Sequence, residues 1–155
     1  SNLHMRGIMT CERVICAAPD YLARRGVPET PDDLISDKHD CLLLRFPGSK
    51  DYYWMLQTPD GPRKIEVSGP FDSDDGDVLT EWALAGRGII NKPRFEVQEF
   101  IRQGRLVPIL QDFPPEPIQL AALYPHKRLQ DPKVRLIIDF MAERCQKMIR
   151  DILAA

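Results

Sequence analysis

Three features that would announce a common function class are missing from these 155 residues. No apolar run approaches the roughly 20 residues needed to cross a bilayer. The opening SNLHMRGIMT has neither the basic start nor the long apolar centre of a signal peptide. Both absences point to the cytoplasm and away from a membrane. A basic surplus is missing too: 21 Lys and Arg stand against 23 Asp and Glu, a net charge of -2. A free-standing nucleic-acid binder carries a positive excess, so this chain is not read as one.

Metal-binding and catalytic signatures are equally thin. The four cysteines, Cys11, Cys16, Cys41 and Cys145, lack the close pairing of a zinc or redox centre and read as reduced thiols, mostly buried. His4, His39 and His126 have no metal-ligand spacing. His39, in DKHDC ahead of a strand, reads as a surface or capping group, whereas His126 in YPHKR follows a strand. No GxxxxGK[ST] loop holds phosphate and no GxSxG elbow presents a serine. Gly86-Arg87-Gly88 fails the GxGxxG pattern because Asn91 takes the third glycine position. No catalytic residue, metal site or cofactor is therefore assigned.

What is present is an alternation of strand-like and helix-like segments, an α/β pattern. RVICAA suits a buried strand, and Pro19 opens a short helix that Gly26 stops. A second short helix is expected at TPDDL and a strand at Cys41–Phe46. Tyr52–Gln57 and Arg63–Val67 flank the Pro59-Asp60-Gly61 turn of a hairpin. A helix is predicted over about 75–85 with Val78, Leu79, Trp82 and Ala83 on one stripe. GIIN is a very short strand, and Pro93 starts the next helix. Pro108 marks Leu106–Leu110 as an edge strand. Ile118–Tyr124 is the strongest central-strand candidate. Val134, Ile137, Ile138, Met141, Cys145, Met148 and Ile149 recur at three and four residues, which makes the tail a long amphipathic helix.

FDSDDGDVLTEWALAGRGIIN, Phe71 to Asn91, carries four aspartates within six residues. A calcium loop needs ligands at positions one, three and five, glycine at six and glutamate at twelve. Starting from Asp72 puts Ala83 at twelve; placing Gly76 at six makes Phe71 the first ligand. Neither register works. Asp74 or Asp75 can instead cap the following helix, whose positive end favours negative charge. Two readings stay open: a solvated cap, or a helix start that lines a small-molecule site.

RVICAAPDYLARRGVPETPDDLISDKHDCLLLRF followed by a tryptophan-containing hairpin resembles the effector-binding domain of LysR-type transcriptional regulators. So do VSGPFDSDDGDVLTEWALAGRGIINKPRFEVQEFIRQGRLVPIL and ALYPHKRLQDPKVRLIIDFMAE. The resemblance runs from about Arg6 to Met148. It implies an α/β, periplasmic-binding-protein-like (type 2) effector domain, with one subdomain complete and the other only partly present. Residues 1–9 read as a tag remnant and linker, residues 10–112 as effector-binding subdomain two, and residues 113–155 as the returning strand and C-terminal helix of subdomain one. The family's winged helix-turn-helix, linker helix and first elements of subdomain one have no counterpart, so the chain reads as an N-terminally truncated piece.

By the same resemblance, Ser73, Asp74, Asp75 and Gly76 match the inducer-contacting turn and helix start. Asn91, Lys92 and Pro93 match a cleft-facing strand end, and Phe46 with Pro47 the segment leaving the Cys41 strand. Lys92 suggests a carboxylate or phenolate inducer, bound in an interdomain cleft. The implied partners are that inducer, a second copy or three further copies in a homodimer or homotetramer, and promoter DNA through the absent N-terminal domain. A solute-binding receptor of the same fold is the alternative function, ahead of a small α/β enzyme.

Overall fold

A computed structural model describes residues 3–46, 52–125 and 131–155. The chain divides into two compact units, Glu12–Glu116 and Ser1–Cys11 with Pro117–Ala155. The sequence-based division ran 10–112 and 113–155.

The larger unit is organised on β2 (Arg13–Ala17), which pairs antiparallel with β7 (Ile90–Pro93) on one side and β8 (Val107–Ile109) on the other. Pro108 sits on the outer strand, where its missing N–H leaves no gap in the described ladder. Opposite residues share a face in an antiparallel pair. The register Val14↔Lys92, Ile15↔Asn91, Cys16↔Ile90 therefore puts Val14, Cys16, Ile90 and Lys92 on one face and Ile15 with Asn91 on the other.

The ladder continues beyond β7. Leu42 N–H donates to Ile89 O and Ile89 N–H to Asp40 O, both at 2.8 Å. β3 (Leu43–Leu44) then pairs parallel with β6 (Asp72–Ser73). Gly69 and Gly88 let this happen, since a Cβ at either would run into the backbone carbonyls of Cys41 and Asp40 respectively.

Helices cover this ladder: α1 (Pro19–Arg25), α2 (Asp33–Ser36), α3 (Gly76–Leu84) and α4 (Arg94–Arg102). Pro19 stands in the first turn of α1, and Gly26, at φ 85°, ends it. Leu79, Ala83 and Val97 of α3 and α4 close over Val14, Cys16 and Ile90. On the other face Ile15, Tyr21, Leu34 and Cys41 form a second core with Leu56 and Ile65. Those last two come from the hairpin β4 (Tyr53–Thr58) and β5 (Gly61–Glu66), turned at Pro59-Asp60 as expected. Residues 113–116 belong to this unit for a concrete reason: Gln57 N–H donates to Pro114 O and Glu116 N–H to Met55 O.

In the smaller unit β1 (Leu3–Cys11) pairs antiparallel with β9 (Ile118–Pro125), from Leu3↔Pro125 to Cys11↔Ile118 with a bulge between Gly7 and Met9. Residues 3–9, read from the sequence as part of a tag remnant and linker, lie in this strand. Leu3, Met5, Met9 and Cys11 alternate with His4, Arg6 and Thr10, a period-two strand signal that the tag-and-linker assignment left unused. Ile118–Tyr124, expected as a central strand, has β1 as its one partner among the described strands.

The tail forms α5 (Pro132–Ala154), capped by Asp131, whose carboxylate accepts from Lys133 N–H at 3.0 Å. Ala142 and Ile149 are buried and Val134, Ile138 and Cys145 half-buried, while Ile137, Met141 and Met148 of the predicted stripe are exposed. Gln146 Nε2 donates to Ile8 O at 2.6 Å, fixing α5 to β1. Among the described residues no helix is long and apolar enough to cross a membrane.

Candidate functional site

The parallel pairing of β3 with β6 brings the end of one strand to the start of the next helix. Arg45 N–H donates to Ser73 O at 2.8 Å, so the residues leaving β3 run beside the aspartate turn. Arg45 Nη2 also reaches Asp72 Oδ1 at 2.8 Å, while the Tyr52 hydroxyl donates to Asp72 Oδ2 at 2.9 Å. Both carboxylate oxygens are engaged. The Tyr52 hydrogen bond first, and then that of Arg45, hold Asp72 below the ordinary carboxylate range. The same contacts raise Tyr52 and Arg45 above their ordinary values.

The rest of the cluster is a turn and a cap. Ser73 Oγ accepts from Asp75 N–H at 3.0 Å, and Asp75 Oδ1 accepts from Asp77 N–H at 2.9 Å. Asp75 is the N-cap of α3 and Gly76 its first residue. Asp74 is exposed. Among the described residues no group of three or more His, Cys, Asp or Glu is arranged to hold a metal ion.

Lys92 approaches this turn from β7. Its ammonium donates to Gly76 O at 3.0 Å and pairs with Glu96 of α4 at 2.9 Å, and the residue is only 7% exposed. Two of its three N–H donors are used in these contacts. Glycine at 76 fits that approach, because a Cβ there would stand 2.8 Å from Lys92 Nζ. The one cation foreseen for an anionic ligand therefore already has a carboxylate beside it.

Asn91 does not join this group. Strand alternation turns it to the opposite face of the sheet, beside Ile15. Its Oδ1 is buried with no hydrogen-bond partner in the described structure, and its backbone O accepts from Arg13 Nη2 at 3.0 Å. Pro93 is the residue capping α4. Phe46 is 61% exposed beyond β3, and Pro47 lies outside the described residues, as does His126.

Three side chains at the turn were not foreseen there: Arg45, Tyr52 and Glu96. Arg45 had a signal, a cation that ends the apolar run CLLLRF. Tyr52 could only be placed by knowing that the hairpin leans on β6. The group presents a half-exposed guanidinium, a hydroxyl and the start of a nine-residue helix. Burial pushes the thiols of Cys16 and Cys41 up to about 12, so neither is a thiolate near neutral pH.

His39 departs from its surface or capping assignment. It is 3% exposed, with Nδ1 2.8 Å from the Tyr21 hydroxyl. Tyr21, reached across α1, supplies the polar partner that lets an imidazole stay in the core.

Comparison with known proteins gives a consistent picture. A family model described as the LysR substrate binding domain matches residues 1–146. The HTH-type transcriptional regulator DmlR of Escherichia coli is 31% identical over 142 residues, covering 92% of this chain and 45% of that protein. The regulatory domain of CrgA, a LysR-type transcriptional regulator from Neisseria meningitidis, superposes with a TM-score of 0.71 at 28% identity, over 93% of this chain and 69% of that one. Full-length AphB, a virulence activator of Vibrio cholerae, gives 0.74 at 30% identity, over 93% and 48%. The chain spans about half the length of the curated relatives it matches.

Proposed function

This chain belongs to the LysR substrate-binding-domain family, and from that premise we propose that it is the effector-sensing module of a bacterial DNA-binding transcriptional regulator. Its fold is the α/β, periplasmic-binding-protein-like fold of that family, and its role is ligand sensing and not catalysis. The match across residues 1–146 carries the reading. The regulator works in the cytoplasm, where its promoter DNA is, and contacts that DNA through a separate domain. It acts as a homodimer or homotetramer, as LysR-type regulators do.

The effector is a small carboxylate, met at the turn formed by Ser73, Asp74, Asp75 and Gly76 beside Phe46. Arg45, whose side chain is about half exposed, supports this reading, together with the Ser73 hydroxyl and the remaining donor of Lys92. Asp72, Asp75 and Glu96 temper the positive field, which favours a singly charged ligand over a phosphate. Binding biases an equilibrium between regulator assemblies, with no chemical step.

A panel of small carboxylates, titrated against a regulator of the relatives' length containing this domain, tests the proposal. Promoter-DNA binding is followed by fluorescence anisotropy and ligand binding by calorimetry. At least one carboxylate should shift promoter affinity, and Arg45→Ala should weaken that ligand about tenfold or more, the size of a lost charge-assisted hydrogen bond. A regulator that binds its promoter identically with every compound would overturn the sensing role. An effect untouched by Arg45→Ala would move the site elsewhere.

A further inference from the structure

The Tyr21 hydroxyl has one proton to give and stands between two groups. Asp40 N–H donates to it at 3.0 Å, so the hydroxyl accepts there. Its own proton is left for His39 Nδ1, at 2.8 Å. Giving that proton an acceptor requires a neutral imidazole, with Nδ1 bare and the hydrogen on Nε2. The pair is buried, Tyr21 fully and His39 nearly so.

This pair holds a short, tightly bonded segment. His39 N–H donates to Leu34 O, and Asp40 O accepts from Ile89 N–H at 2.8 Å. Arg25 Nη1 grips Asp40 Oδ2 at 2.8 Å while its Nη2 donates to Lys38 O at 2.6 Å. Lys38 has a left-handed backbone, φ 50°, which a non-glycine residue adopts only when neighbours hold it. Directly after this segment comes Cys41, then β3.

We infer that Tyr21 and His39 form an acid-sensitive latch that fixes residues 38–41 and, through them, β3. When Nδ1 takes a proton from solvent it becomes a donor. The Tyr21 oxygen can accept from both Nδ1–H and Asp40 N–H, but the phenolic proton is then buried without an acceptor. The latch relieves this only by letting the segment move. Arg25 of α1 opposes protonation, as does burial; Asp33 of α2, Asp37 at its end and the neighbouring Asp40 favour it. Burial is the larger influence and holds His39 below its ordinary value. The unfolded chain consequently binds the proton first: stability is full above about pH 6.5 and declines as pH falls through that value, levelling off below the folded pKa.

The test does not depend on any effector. Nitrogen-15 NMR of the imidazole should show the Nε2–H form at pH 7.5. Backbone hydrogen exchange, corrected for its intrinsic pH dependence, should show residues 38–44 losing protection roughly tenfold between pH 7.5 and 5.5. His39→Gln keeps an acceptor for the hydroxyl but cannot titrate, so it should hold protection at both pH values. Tyr21→Phe should start with low protection and show little further change. An Nδ1–H tautomer in the native protein, or protection that is equal at the two pH values, would overturn the latch. So would a His39→Gln protein with the native pH response.

Discussion

A buried ammonium and a half-exposed carboxylate make an unequal pair. Lys92 has lost most of its water, whereas Glu96 keeps about 40% of its side-chain exposure. Removing the carboxylate strands a desolvated cation; removing the cation leaves a carboxylate that water can reach. Glu96→Ala is therefore expected to cost about 2 kcal/mol or more. Lys92→Met, which fills the same volume with apolar atoms, should cost only about 1 kcal/mol. Part of the reason is Gly76 O, which also accepts from Thr80 Oγ1 at 3.3 Å and keeps a partner. Urea denaturation of the two variants checks the ordering, and a larger loss for Lys92→Met would mean that the ammonium pins α3 by itself. None of this was legible in the sequence, because Lys92 and Glu96 fall in what reads as two different elements. Strand alternation, by contrast, was available: adjacent residues on β7 have to face opposite ways, so Asn91 and Lys92 could never have shared one wall. His39 was misplaced because Asp37, Lys38 and Asp40 around it are all charged, and its buried partner is 18 residues away.

At the scale of the element, the aspartate-rich turn shows how one sequence feature divides among separate tasks. Asp72 holds Arg45 and Tyr52, Ser73 receives Asp75 N–H, and Asp75 receives Asp77 N–H. Failure of the calcium spacing and a cap at Asp74 or Asp75 were both readable, since each rests on distances along the chain; that Asp75 is the one took the structure. The tie from Asp72 to Tyr52 was not, because it depends on how the hairpin is placed. Asp75→Ala is expected to destabilise the larger unit by about 1 kcal/mol, the usual cost of a lost N-cap. Asp74→Ala should cost well under half of that. Thermal melts of both variants decide the matter, and equal losses would assign the cap wrongly.

Across the whole molecule the two units differ in what they hold within themselves. Every residue of both apolar cores lies between Val14 and Phe113, and the ladder from β6 through β3, β7 and β2 to β8 lies there too. Among its described residues the smaller unit has two strands and one helix. Leu136, Phe140 and Met141 on α5 are 69%, 63% and 56% exposed. A two-stranded sheet is marginal in water, and a layer this thin buries too little apolar surface to offset its ordering entropy. The amphipathic period of α5 was plain in the sequence; which part of its broad apolar surface meets β1 was not, because residues 3–9 had been assigned to a tag remnant and linker. Residues 12–116 expressed alone should therefore fold with a single cooperative thermal transition and dispersed amide resonances. Residues 1–11 joined to 117–155 by a flexible linker should show neither at micromolar concentration. If 12–116 melted without cooperativity, its cores would need the rest of the chain, and the division into an autonomous and a dependent unit would fail.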